Sequence, residues 1–313
     1  MKEKGKGTQA SHTRRAFLSQ LGAGLCVLAL RIPPGAASGS PTSKVAVAKG
    51  EAESAVRMAL EALGGIDLFV KPGDKVILKP NLSFPNPPSW GCNTSPEVIA
   101  TVARLCLEAG AKKVTVVDNT LGNPDLCFVR SGAREALAKI PYVRLIAPKD
   151  ESLYREVRVQ KGVALRATKV YVEVLEADKI ISLPTAKSHS ATGVSLGLKG
   201  LMGLVWDRAT FHRDMDLDQA IGDLATVIRP HLTILDATRG LLTAGPGGPG
   251  KVEQWNTIVA GSDPVAVDAV GVTLGAWYGQ RFRPDQVKHL VAAAAHGLGT
   301  LDLKAINVLE RGG

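Results

Sequence analysis

The chain has 313 residues, of which 45% are hydrophobic and 21% charged, enough for a sizeable core and against general disorder. Its formal net charge is +9, but residues 1–43 hold six basic residues against one acidic, so the remainder carries only +4. A mildly basic body with no run of basic residues interleaved with aromatics argues against nucleic-acid binding, and the length allows one large domain or two small ones.

In chain order, the first signal is Thr13-Arg14-Arg15-Ala16-Phe17-Leu18, placed after a polar, basic leader and before an apolar run ending at Leu30. This resembles the twin-arginine export signal, which implies a twin-arginine translocase as partner and a periplasmic destination for a protein exported already folded. The apolar run is short and glycine-rich, so no stable membrane span is expected after cleavage. Ala36-Ala37-Ser38 supplies small residues for that cleavage. The division expected is a signal and linker over residues 1–42 and a continuous body over 43–313.

The body opens with an alternating run, Lys44 to Lys49, read as a strand, then a helix over Glu51–Leu63 stopped by Gly64-Gly65. A second strand, Val76–Lys79, delivers Lys79, Pro80 and Asn81 at its end. Thr94-Ser95-Pro96-Glu97 has the composition of a helix start, and that helix runs to Ala109. Lys113–Val117 is a strand ending at Asp118-Asn119, followed by a helix over Asp125–Ala138 and a strand at Val143–Ile146. Tyr154–Val174 reads as less regular, antiparallel β structure. After a strand at Ile180–Leu183 come helix Leu217–Ile228, strand Leu232–Leu235 ending at Asp236, and strand Thr257–Ala260. Helices at Ser262–Trp277 and Pro284–Ala295 and a strand at Ile306–Leu309 complete the chain. The alternation predicts an α/β fold, a mostly parallel β-sheet with helices on both faces, in one lobe or two.

The densest chemistry lies between Ile180 and Arg213. Past Pro184, a polar loop is expected to carry Lys187, Ser188 and His189, followed by a segment punctuated by Gly193, Gly197, Gly200 and Gly203 that holds Lys199. Arg208, His212 and Arg213 close it. Cationic and imidazole groups among glycines suit a pocket for an anion, since a bare backbone admits a ligand closely. In open parallel sheets ligands sit outside the carboxyl ends of the strands. Four polar strand ends, Lys79/Asn81, Asp118/Asn119, Lys187/His189 and Asp236, are therefore expected to share one edge.

Two patterns lead elsewhere. Gly245 to Lys251 fits the GxxxxGK spacing of a phosphate loop, but Val252 stands where the magnesium-binding hydroxyl belongs, and Pro246 and Pro249 lack the N–H donors that phosphate needs. It reads as a hairpin-like or lid loop. Outside the leader, Cys92, Cys106 and Cys127 make no CxxC, so no iron–sulfur motif is present, although a single disulfide is allowed.

Several stretches carry a family resemblance: VILKPNL (76–82), TSPEVI (94–99), VTVVDNT (114–120), LPTAKSHSATGVSLGLKGLMGLV (183–205), LTILDATRG (232–240) and GSDPVAVDAVGVTLG (261–275). Together they resemble the domain-of-unknown-function family 362, a bacterial and archaeal family whose name assigns no reaction. The chain departs from the family's Lys-Asn-Leu-x-Gly version by having Gly200 after Lys199. A more distant likeness is to the lactate racemase group, which implies α/β lobes around a Lys/His-lined cleft holding a nickel–pincer cofactor. None of that group's ligands aligns onto this chain residue by residue.

The function expected is an exported enzyme acting on a small anionic substrate, with a divalent metal or an organic cofactor open as additions. Lys187, Lys199 and His189 are the candidates for chemistry. Lys79, Asn81, Asp118, Asn119, Asp236, Arg208 and Arg213 would bind the ligand, and His189, His212 and Asp268 would be the ligands of any metal. The alternative is a periplasmic binding or cofactor-maturation protein using the same cleft without chemistry.

Overall fold

The computed structural model describes residues 43–312. The expected export leader lies outside the described residues.

Strand β1 (Ser43–Lys49) leads into helix α1 (Ala52–Ala62), whose buried Ala55, Val56, Ala59 and Leu60 recur at helical spacing on one face. Strand β2 (Lys75–Pro80) is followed by α2 (Pro96–Glu108), with proline at its first position. Next come β3 (Lys113–Val117), α3 (Pro124–Arg130) and α4 (Ala133–Leu137). The single helix expected over 125–138 is broken, because Gly132 takes φ 77°, a left-handed turn that glycine adopts without cost. Strand β4 (Val143–Ile146) precedes an antiparallel ribbon of β5 (Tyr154–Arg158) and β6 (Ala167–Tyr171), and then the short α5 (Val172–Leu175).

Strand β7 (Lys179–Leu183) ends at Pro184, yet the chain does not pass into a loop there. Residues Thr185–His189 form a further strand, β8, which corrects the expected polar loop. Pro184 marks the loss of one partner: β7 pairs with β2 up to Leu183 and with the near end of β10 (Leu232–Leu241), and β8 keeps only β10 of these, pairing with its far half from Thr185 onward. The two-residue β9 (Gly193–Val194), α6 (Leu196–Gly200), α7 (Ala209–Asp214) and α8 (Leu217–Ala225) lie between β8 and β10. Strand β11 (Val252–Gly261), α9 (Pro264–Thr273), α10 (Lys288–Ala295) and β12 (Ile306–Arg311) follow. Strands β10 and β11 are longer than expected and form an antiparallel hairpin joined by the Gly/Pro loop at 245–250.

The main sheet runs β12-β1-β11-β10-β7-β2-β3-β4. It is mostly parallel, with antiparallel pairs where β11 meets β1 and β10. Successive strand residues alternate between two apolar layers. Ile180, Val117, Leu235 and Val259 join one layer, and Ile181, Val116, Ile234 and Ile258 the other. Residues of α1 and α2 fill the second layer, and those of α6, α8, α9 and α10 fill the first, so helices cover both faces as the alternation predicts. Cys92, Cys106 and Cys127 are buried free thiols, with no disulfide among them. Among the described residues no helix is long and apolar enough to cross a membrane.

Candidate functional site

Strands β2, β3 and β8 bring their polar ends to one place, where α6 and the start of α7 meet them around a cleft of about 360 Å³. Its walls include Asn81, Asp118, Lys187, His189, Lys199 and Arg208, with His212 beside them and Phe84 and Met202 among the apolar lining. The volume is near the small end of ligand sites, which suits a compact molecule.

At the base, Lys79 Nζ lies 3.0 Å from Asp118 Oδ1, and both side chains are only 1% exposed. Lys79 also donates to the Pro80 carbonyl at 2.5 Å, while Asp118 Oδ2 accepts from Leu82 N at 2.7 Å and from the Ser83 hydroxyl at 3.0 Å. Burial pushes the Asp118 carboxyl up, but Lys79, Arg208 and the Leu82 N–H together hold it below the usual carboxylate range. Gly203 leaves room for this pair: a Cβ there would fall 2.6 Å from Lys79 Cε. Asp118 is the only carboxylate lining the cleft among the described residues, and its charge is already matched by Lys79.

The other cations have no such partner. Lys187 Nζ donates to the Cys92 carbonyl at 2.6 Å and lies 5.5 Å from the centre of the Phe84 ring. Burial, the largest effect, lowers it to about 8. Lys199 Nζ lies 3.1 Å from Met202 Sδ and 3.2 Å from His212 Nε2, and burial together with Arg208 and Lys187 lowers it to about 7. Arg208 donates to the Asn119 carbonyl. His189 Nδ1 accepts from Ala191 N at 3.1 Å, which leaves the ring hydrogen on Nε2 when the imidazole is neutral. Burial and the neighbouring Lys199, His212 and Lys187 lower His189 to about 3, so near neutral pH it is an uncharged N–H donor. Its ring stacks on that of His212 at 5.9 Å and 19°.

The backbone here is built to hold this shape. Leu196 takes φ 54°, a left-handed conformation that costs a branched side chain roughly 1–3 kcal/mol. It is pinned by the next two residues, whose N–H groups both donate to Asp268 at 2.8 Å. Asp268 therefore launches the helix that carries Lys199.

Several expected site residues serve the frame and do not line the cleft. Asp268 spends both carboxylate oxygens on that backbone, and burial raises it to about 7. The proposed metal set His189, His212 and Asp268 is thus not assembled: no group of three or more His, Cys, Asp or Glu able to hold a metal occurs among the described residues. Asp236 stands within β10 and not at its end, accepting from Ser95 N at 2.7 Å and from the Thr238 backbone and hydroxyl. It anchors the start of α2. Asn119 spends its amide on the Val205 and Trp206 carbonyls and on Lys149, so it fixes the segment before Arg208. Arg213 is exposed and paired with Asp214. Asn81 keeps its place in the cleft wall, its Oδ1 accepting from Thr185 N at 2.9 Å. Phe84 and Met202 also line the cleft, and as apolar residues they carry no sequence signal that marks a site.

Fold and site together define an α/β protein with a cation-lined cleft outside the ends of its parallel strands. The chain belongs to the domain of unknown function 362 (DUF362) family, whose pattern matches residues 76–273. Thylakoid-associated protein sll1697 of Synechocystis sp. (strain ATCC 27184 / PCC 6803 / Kazusa) is 32% identical over 231 residues, which cover 69% of this chain and 68% of that one. The lactate racemase apoprotein from Thermoanaerobacterium thermosaccharolyticum is similar with a TM-score of 0.46 and 14% identity, over 72% of this chain. The match spans 56% of the racemase chain.

Proposed function

We propose that this protein is an exported enzyme that binds a small anionic substrate in the cleft and moves a proton on it. The observation that carries this reading is the charge imbalance: Lys187, Lys199 and Arg208 face one cleft whose only carboxylate, among the described residues, is already paired with Lys79. Three buried or half-buried cations without anionic partners are costly unless a ligand supplies the missing charge. In this reading Lys187 and Arg208 clamp the anion, His189 Nε2–H donates to it, and the adjacent Lys199 and His212 exchange the proton.

The lowered lysines set the sign of the pH dependence. Lys199 and Lys187 lose their protons near 7 and 8, so the cleft is most cationic below pH 7 and loses charge as pH rises through 9. Calorimetric titration with sulfate or acetate, whose charges are constant over this range, should show affinity falling by about tenfold or more from pH 6 to pH 9, with proton uptake on binding at pH 7.5. Arg208→Ala should weaken binding by a further ~10-fold at every pH, as loss of a charge-assisted hydrogen bond does. Affinity that stays flat across this range, or no binding of either anion, would refute the reading.

Export rests on Thr13 to Leu18, and on similarity to a thylakoid-associated protein, which supports a place of work outside the cytosol. Changing Arg14 and Arg15 together to lysine should leave the precursor in the cytoplasm. An unchanged periplasmic yield on fractionation would remove export from the proposal.

A further inference from the structure

We infer that Lys199 forms an imine with the substrate, and that the substrate class is a small carbonyl-bearing carboxylate such as a 2-oxo acid, because a buried lysine facing the cleft touches a thioether and an imidazole in place of a carboxylate. This rests on the reading of the cleft as an anion site and deepens it.

The three buried lysines of this site differ in partner, and Lys187 spends its ammonium on the Cys92 carbonyl at 2.6 Å. Lys79 is locked at 3.0 Å to Asp118, whose charge opposes the effect of burial on the ammonium. The Nζ of Lys199 has Met202 Sδ and His212 Nε2 as its nearest polar neighbours, at 3.1 and 3.2 Å, and neither brings a negative charge. Lys199 is 8% exposed, on the helix that Asp268 pins, so the amine is held in place. A free amine is the nucleophile and an ammonium is not, and burial with the nearby Arg208 and Lys187 favours the free amine, outweighing the opposing charge of Asp218, which makes no contact with it. Lys187 and Arg208 share the cleft, and their positive charge is what a carboxylate next to the reacting carbonyl needs.

The chemistry balances without an oxidant or reductant. The Lys199 amine adds to the carbonyl carbon, the C–N bond forms, and the π pair moves to oxygen. His212 Nε2 takes one proton from the adding amine and passes it to the alkoxide, which becomes the carbinolamine hydroxyl. The second N–H proton reaches that hydroxyl by the same route, and water leaves as the nitrogen lone pair closes the C=N bond. One amine and one carbonyl give one imine and one water. His212 is suited to carry the proton, since it is already 3.2 Å from the amine.

The test is reductive trapping on the full chain at pH 7 with sodium pyruvate or glyoxylate and cyanoborohydride, read by peptide mapping. The expected result is one reduced adduct on Lys199, forming on the order of a hundredfold faster than on exposed lysines such as Lys71 and Lys112. His212→Gln should slow the trapping roughly a hundredfold. Lys199→Arg should abolish it; because the mapping is done on the unaltered protein, the result does not depend on that variant folding. No adduct with either carbonyl compound, or adducts spread over Lys187 and the exposed lysines, overturns the inference. Phosphate, which has no carbonyl, separates the two ideas. If phosphate binds but no imine forms, the imine falls and the anion site stands; if none of the three anions binds, both fall.

Discussion

An Asp118→Ala protein should be less stable than the parent by about 3–5 kcal/mol, the usual cost of removing one member of a buried ion pair and stranding the other. The loss is large because the carboxylate serves three partners at once. It balances Lys79 at 3.0 Å, accepts the Leu82 N–H and accepts the Ser83 hydroxyl, all in the interior. The thermal midpoint should fall by roughly 10 °C. Lys79→Met should cost a similar amount by stranding Asp118, and the double change Lys79→Met/Asp118→Ala should cost clearly less than the sum of the two, because no charge is then left alone. Additive losses would mean that the pair is not coupled. The sign of the acid response follows from the carboxyl's lowered pKa: its contribution is complete above the ordinary carboxylate value and is lost as pH falls through the folded value.

Asp223→Asn should cost about 2–4 kcal/mol and release the loop between β5 and β6, even though the side chain keeps its size and shape. In α8 the Asp223 Oδ2 accepts three consecutive backbone N–H groups, from Val163, Ala164 and Leu165, at 2.7–2.8 Å. Its Oδ1 meets Gln219 Nε2 at 2.9 Å and His296 Nε2 at 2.7 Å. An amide has one oxygen and two N–H donors, so it must turn a donor toward either the three amides or the Gln219–His296 side. Hydrogen exchange at Leu165, which is buried, should speed up well beyond the global change. Unaltered protection of that loop would show that the three contacts do not hold it. Burial pushes the Asp223 carboxyl up but the hydrogen bonds win, so this contribution too is lost toward acid.

Much of the frame could be read from local pattern. The runs at 113–117 and 143–146 are strands with the expected bounds, because short apolar segments between turn residues have few other fates. What escaped were decisions made by distant partners. Thr185–His189 looks like a loop until the end of β10 is laid beside it, and nothing near Pro184 announces that partner. Asp236 has the look of a strand-end ligand, yet its fate is set by Ser95, 141 positions away. Asp268 reads as a possible metal ligand for the same reason, since only the fold shows Gly197 and Leu198 spending both its oxygens. The cationic cluster was the more legible part. Lys187, Lys199 and Arg208 lie within one short, glycine-rich stretch, which limits how far apart the chain can place them.

Strand β1 pairs antiparallel with β11 and parallel with β12, Val45 lying opposite both Gly261 and Val308. At ordinary synthesis rates β1 leaves the ribosome roughly 10–40 s before β11 exists. Throughout that time the nascent chain holds a loose, β-prone N-terminal segment with neither β11 nor β12 to pair it. Contacts this far apart in sequence also make closure slow. The sheet is therefore sealed only after translation has passed its last strand.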